Sequence, residues 1–264
     1  MLAPATLPER YLHWNDRHGA PFGRAITKRR IWDFLRIPKS IEQLQGPFSI
    51  QPNNTTREFE YPWAFESAKL RPGMQVIELG GGLSGFQFVL DQSGCHVINV
   101  DPGMEAKGRG WPCDLASIGR MNALFGTQVE LRNTTIENAN LGENTMDCVF
   151  SISVIEHLRD IEIVQAMKHI HRCLKLGGLF VLTVDLFLNL KPFCSRVSNE
   201  FGRNQDIRWM TELENWEVIV GNPSELFGFD AFEVDAIVSN LDKYLIGRYY
   251  PVTVQCLVLK KIST

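Results

Sequence analysis

No two of the six cysteines lie closer than 18 positions, the separation of Cys95 and Cys113, and no Cys-x-x-Cys pair occurs. Zinc ribbons, dithiol redox sites and dense disulfide frameworks all lack their spacing. Several cysteines sit in apolar runs such as Asp147-Cys148-Val149-Phe150, where the thiol serves as a small hydrophobe. Long hydrophobic runs are also missing. The greasiest stretch, Gly178 to Leu190, is interrupted by Thr183, Asp185 and Asn189 and is too short to span a bilayer. Met1-Leu2-Ala3-Pro4 opens no cationic, then apolar, secretory signal. A reduced, cytoplasmic protein with no membrane partner is expected, and the Asn-x-Thr patterns at Asn53, Asn54 and Asn133 carry no weight. Neither charge sign dominates: 27 basic against 30 acidic residues give −3, so a nucleic-acid partner would need a local basic patch. Thirteen prolines and 21 glycines in 264 residues exclude collagen-like and low-complexity architectures, and no internal repeat is visible. What is present, 44% hydrophobic and 22% charged residues, is enough apolar surface for one or two ordered domains.

Residues 1–60 differ from the rest. Nine Lys or Arg face six acids, leaving this segment at +3 and the remainder at −6. It is expected to form a lid or substrate segment, with a short helix at Ile31–Leu35, a loop at Gln51–Thr56, and Lys28-Arg29-Arg30 as a solvated face. Residues 61–264 are expected to form the main domain. Pro62 suits the first turn of a helix reaching about Leu70. Apolar, β-rich runs follow at Gln75–Leu79, His96–Val100, Val129–Leu131, Met146–Ser151 and Leu179–Val184, separated by helical patterns near 84–93, 114–125 and 160–174. In the last helix Asp160 is the expected cap, Ile163, Met167, Ile170 and Leu174 share a face, and Gly177 is the expected exit. The alternation predicts a mostly parallel sheet covered on both faces. A helix near 206–214, a strand at Glu217–Val220 and a final strand at Val252–Leu259 complete the pattern. Residues 222–250 between those strands are too long for a turn and are expected to form an insertion over the binding face.

The segment Val76-Ile77-Glu78-Leu79-Gly80-Gly81-Gly82-Leu83-Ser84-Gly85 has the form strand, glycine turn, helix. Glycines there let backbone approach a ligand where a Cβ would clash. Ser84 and Gln87 have capping-box spacing. The next strand, His96–Val100, delivers Asp101, 21 residues after Gly80, where an acid suits two ribose hydroxyls. This first unit is read as a nucleoside site.

Glu78-x-Gly80-x-Gly82 with Asp101 resembles the class I S-adenosylmethionine-dependent methyltransferases. Met146–Ser153 followed by Glu156-His157-Leu158 is similar to that family's fourth strand and its sequel. Leu174-Lys175-Leu176-Gly177-Gly178 and Phe180–Val184 resemble its turn before the fifth strand and that strand. The likeness covers about residues 61–185. It implies an α/β, Rossmann-like, doubly wound sheet of seven strands, mostly parallel with an antiparallel last strand. It also implies S-adenosyl-L-methionine as cofactor. Glu78 would hold the methionine ammonium through water, Gly80, Gly81 and Gly82 would line that moiety, and Asp101 would take the ribose. Thr135 and Ile136 stand at the adenine edge, where the family often has an acid, and Ser151 ends the fourth strand.

A sulfonium methyl is already activated, so transfer needs an acceptor held in line at roughly 3–3.5 Å. A hydroxyl acceptor needs a base; a neutral amine does not. His157 is the first candidate, Glu156 shares its location, and Asp185 stands where it could orient an acceptor; each also has a purely structural reading. No metal is expected. His169 and His171 lie two apart on a helix and face different ways, and the acid, acid, Asn set of magnesium-dependent catechol enzymes is missing. Trp111-Pro112-Cys113 follows strand two, not strand four as in cytosine-C5 enzymes, and no Asn/Asp-Pro-Pro-aromatic motif occurs. The expected acceptor is therefore a small molecule, with sugars and secondary metabolites as the candidates, and not a nucleic acid. Two other readings stay open: a non-catalytic binding protein that kept the fold, and a nicotinamide-dependent oxidoreductase using the same glycine loop.

Overall fold

The strand segments Val76-Ile77, Val149-Phe150 and Val181-Leu182 are fully buried at consecutive positions, as strands covered on both faces require. The structure, a computed structural model, describes residues 1–26, 40–103, 113–212 and 215–263. Lys28-Arg29-Arg30, Ile31–Leu35 and Trp111-Pro112 lie outside the described residues. In chain order the elements begin with α1 (Glu9–His18), α2 (Ile41–Gln45), α3 (Arg57–Ser67), β1 (Gln75–Leu79), α4 (Gly85–Gln92), β2 (His96–Val100) and α5 (Leu115–Phe125). They continue with β3 (Glu130–Arg132), β4 (Met146–Ile152), α6 (Asp160–Cys173), β5 (Leu174–Phe187), α7 (Arg208–Thr211), β6 (Trp216–Val220), α8 (Val234–Val238) and β7 (Val252–Lys261).

The seven strands form one sheet in the order β3-β2-β1-β4-β5-β7-β6. The β3-β2, β2-β1, β1-β4 and β4-β5 pairs are parallel, and β7 runs antiparallel to both β5 and β6. Strand order reverses at β1, whose last residue, Leu79, is level with Val100 of β2 and Ser151 of β4. A crevice beyond the carboxyl ends of strands at such a reversal is where open α/β sheets bind ligands. On one face of the sheet Trp14, Phe48, Phe59, Phe86 and Phe150 share a core; on the other Ile163, Met167, Ile170, Leu182 and Leu257 do. No helix among the described residues is long and apolar enough to cross a membrane.

Several elements depart from expectation for local reasons. The helix predicted to open at Pro62 opens at Arg57, with Pro62 in its interior. Proline has no N–H for the Glu58 carbonyl four residues back. That carbonyl accepts from Asn15 Nδ2 of α1 at 2.7 Å, so the tertiary fold repairs the gap. Helix α6 has Arg159, not Asp160, at its N-cap position; the Arg159 N–H donates to Glu162 Oε2 at 2.8 Å, and Asp160, in the first turn, accepts from Arg203 at 2.6 Å. Gly177 does take a left-handed φ of +80°, yet it does not end α6. The chain passes directly into β5 at Leu174, and Gly177 falls in the register shift between the Met146–Leu174 and Cys148–Leu179 pairs. The helix predicted near 206–214 shortens to Arg208–Thr211.

Residues 222–250 fold mainly against their own side: Phe227, Phe232 and Leu241 pack with Leu2, Leu186 and Ile237. The chain start completes the sheet. Strand β6 pairs only with the far end of β7, and Met1–Ala3 lie along the part it leaves open. There Ala3 N donates to Val254 O at 3.0 Å and Cys256 N to Met1 O at 2.8 Å. Tyr11, Trp14 and Phe48 belong to the same core as α4, so the described part of residues 1–60 packs into the body of the protein.

Candidate active site

Beyond the carboxyl ends of β1, β2, β4 and β5 lies a cavity of about 880 Å³. One wall is the glycine turn after β1. Gly80 has φ +65°, and a Cβ there would meet the Val154 side chain at 2.7 Å; a Cβ on Gly81 would meet Glu78 Cδ at 2.9 Å. The expected capping box is replaced by side-chain chemistry. Ser84 Oγ donates to Glu78 Oε1 at 2.7 Å, and Gln87 Nε2 donates to the Ser84 and Gly82 carbonyls at 3.1 and 3.2 Å. The Ser84 hydroxyl thus directs its proton at the Glu78 carboxyl, and its oxygen accepts from no N–H of the following helix. Burial pushes Glu78 up to about 8, against the opposing Ser84 hydrogen bond. Its Oε2 has no hydrogen-bond partner among the described residues.

Asp101 is buried at the tip of β2. Its Oδ2 accepts from Gly82 N at 2.7 Å and its Oδ1 from Gly103 N at 2.6 Å. Burial raises its pKa and these two N–H groups oppose the rise. Gly82 itself stands behind the wall, outside the cavity lining. Its carbonyl gathers Gln87 Nε2, Asn99 Nδ2 at 2.9 Å and Cys113 Sγ at 3.1 Å. Asn99 was not singled out from the sequence, and Cys113 was weighed only within Trp111-Pro112-Cys113; for Asn99, a polar residue in the middle of β2's apolar run was the available signal. Thr135 and Ile136 line the cavity beside Thr134 and Glu137, whereas Ser151 is fully buried behind it.

The far end of the cavity is built by α3, β4, β5 and the residues before β7. Ser153, a non-glycine at φ +49°, turns the chain after β4. Its Oγ accepts from Arg57 Nη1 at 2.7 Å and lies 2.9 Å from both Glu60 Oε2 and Asp185 Oδ1. Thr183 Oγ1 donates to Glu60 Oε2 at 2.7 Å, Arg57 pairs with Glu60 Oε1, and Tyr250 Oη donates to Asp185 Oδ2 at 3.3 Å. Burial, and then the charge of Glu60, pushes Asp185 up to about 6. His157 and Asp185 line the cavity; Glu156 does not. The Glu156 carboxylate is buried without a hydrogen-bond partner among the described residues, and burial followed by the charge of Asp185 holds its pKa well above the usual range. The stacked rings of Phe201 and Tyr250, 4.1 Å apart, line this end too. From residues 222–250, only Tyr249 and Tyr250 reach the wall among the described residues.

Glu60 and Arg57 went unread in the sequence. The signal was an acid set between Phe59 and Tyr61 and followed by the apolar run Pro62-Trp63-Ala64. Residues 51–54 were read only as a loop, yet they line the cavity, and Gln51 Oε1 accepts from Leu83 N at 2.8 Å, fastening that loop to the glycine turn.

Sheet order, glycine turn and the acid at the tip of β2 are together those of a class I S-adenosylmethionine-dependent methyltransferase. The chain belongs to the methyltransferase-domain family, whose model matches residues 56–221. An uncharacterised methyltransferase of Synechocystis is 25% identical over 153 residues, half of this chain and 66% of that relative, so the chain spans just under two thirds of it. Two solved structures share the fold. An S-adenosylmethionine-dependent methyltransferase from Mesorhizobium loti has a TM-score of 0.51 at 12% identity, over 76% of this chain and 98% of that one. The YcgJ protein of Bacillus has a TM-score of 0.50 at 15% identity, over 78% and 99%.

Proposed function

We propose that the protein transfers the methyl group of S-adenosylmethionine to a hydroxyl of a small molecule held between Asp185 and the Phe201–Tyr250 stack. One observation carries this reading: Glu78 and Asp101 at one end, and Asp185 at the other, line a single uninterrupted cavity. The residues present suit the donor. Glu78 lines the cavity and its buried Oε2 is an orphaned acceptor among the described residues, as an ammonium requires. Asp101 retains acceptor capacity for ribose hydroxyls beyond its two backbone bonds. Thr135 and Ile136 would flank the base. When bound, the donor supplies a sulfonium methyl open to direct displacement.

The remaining residues orient the acceptor and dispose of its proton. Phe201 and Tyr250 offer aromatic faces, and Tyr250 Oη fixes Asp185 from one side while Ser153 fixes it from the other. Asp185 is our candidate base, since it lines the cavity and burial, then the charge of Glu60, pushes its pKa up to about 6. His157 is the second candidate on the same wall, and Glu156, behind it, supports the local field. Methyl transfer carries positive charge away from sulfur, and the carboxylates at the acceptor end favour its arrival there. Residues 51–54 and Arg57, which line the cavity, would form the substrate wall contributed by the N-terminal segment. A cytoplasmic location is consistent with five buried free thiols.

The test incubates the protein with methyl-labelled S-adenosylmethionine and panels of hydroxylated and amine metabolites. Label in a hydroxylated compound, lost in Asp185→Asn, is the expected result. Label only in amines would remove the hydroxyl assignment. Tight binding of S-adenosylhomocysteine with no transfer to any compound favours the non-catalytic reading; binding of NAD instead favours the oxidoreductase.

A further inference from the structure

Two carboxylates at the closed end of the cavity compete for one hydrogen. Ser153 Oγ stands 2.9 Å from Glu60 Oε2 and 2.9 Å from Asp185 Oδ1, and a serine has a single proton to donate. Glu60 is already served as an ion, by Arg57 at Oε1 and by the Thr183 hydroxyl at Oε2. Among the described residues Asp185 has on its other oxygen only the longer bond from Tyr250, 3.3 Å. With both acids ionised, the serine would turn a lone pair toward one carboxylate oxygen at hydrogen-bond distance inside the protein, an unfavourable contact. One added proton removes the conflict: Asp185 Oδ1 donates to Ser153 Oγ, and Ser153 donates to Glu60.

We propose that Glu60, Ser153 and Asp185 form a proton relay that holds one acid proton at rest and frees Asp185 to receive the proton of a hydroxyl acceptor. The relay rests on the methyl-transfer reading above and gives Glu60 and Ser153 positioning roles that act through Asp185. In the first step the Asp185 O–H bond breaks, its proton passes to Ser153 Oγ, and the serine's own proton passes to Glu60 Oε2. Asp185 is left as a carboxylate facing the cavity. In the second step the acceptor O–H bond breaks toward Asp185 as the acceptor oxygen gains the methyl carbon and sulfur keeps the bonding pair. Product departure then returns the surplus proton to solvent. Charged or titratable groups facing Asp185 come from every side: Arg57 and Glu60 on α3, Glu156 in the turn after β4, and Tyr250 before β7. Arg57 donates to both Glu60 and Ser153, tying the two ends of the relay together.

Infrared difference spectra of the S-adenosylhomocysteine-loaded protein, with ¹³C-carboxyl aspartate or glutamate, test this without a known acceptor. The relay requires a protonated aspartyl carbonyl band that disappears as pH rises through about 6 and is absent in Asp185→Asn. It also requires the Glu60 bands, assigned by their loss in Glu60→Gln, to shift in Asp185→Asn while Ser153 is present. That shift should vanish when Ser153→Ala is added, a dependence that mere structural support would not produce. A wild-type protein with no protonated aspartyl band below pH 6, or a Glu60 shift indifferent to Ser153, overturns the relay. Failure of the wild type to bind S-adenosylhomocysteine would instead strike at the donor reading, and the same bands remain readable on the free protein.

Discussion

Glu78 hydrogen-bonds a hydroxyl with one oxygen and has no partner among the described residues on the other, and burial pushes its pKa up to about 8. A cation arriving at the bare oxygen favours the ionised form, so the complex has the lower pKa and donor binding expels a proton below that pH. Affinity for S-adenosylhomocysteine should therefore rise with pH toward about 8, by at most about tenfold per unit. Calorimetry in buffers of differing ionisation enthalpy reads both the affinity and the released proton; a flat profile removes Glu78 from the ammonium site. Asp101→Asn should weaken the same binding by about 1.5–3 kcal/mol, the cost of losing hydrogen bonds to a charged group, and unchanged affinity would take Asp101 off the ribose. Both residues were legible in the sequence because their chemistry is local: one strand, one glycine turn, one neighbouring strand tip. The group of Glu60, Ser153 and Asp185 was not. Glu60 and Asp185 stand far apart in the chain, and only the sheet order brings α3 over the ends of β4 and β5.

At the scale of elements, turn signals were read correctly as residue types and misplaced as positions. Pro62 favours a first helical turn in isolation, but the aromatic face of α3 extends through it, and Asn15 supplies the donor that proline lacks. Asn15→Ala should cost about 1–2 kcal/mol in urea unfolding, as an orphaned buried carbonyl does. Adding Pro62→Ala should recover most of that loss, because the new N–H reaches the Glu58 carbonyl. Equal losses with and without Pro62→Ala would disprove the pairing. Ser84 shows the same lesson from the other side: its spacing to Gln87 fits a cap, yet a buried acid six residues earlier claims its hydroxyl.

For the whole molecule, the alternating pattern of the middle of the chain was sufficient for a parallel, doubly wound sheet, and β7 closes it antiparallel as the resemblance implied. What the pattern did not disclose is how the chain start lies on β7, since two or three residues carry no periodicity. Removing residues 1–5 leaves Val254 O and Cys256 N without their partners and uncovers an open strand edge. Stability should fall by roughly 2–6 kcal/mol, with self-association visible by light scattering; unchanged melting and a monodisperse sample would contradict this. The glycine turn has a comparable dependence on distant parts. Side chains from α4, β2 and the residue before Asp114 converge on one peptide oxygen, that of Gly82, and Asp101 grips the N–H of the same residue. The turn is thereby preorganised: its shape is set during folding, and a nucleoside docking there, as proposed, would spend little free energy on ordering a loose loop.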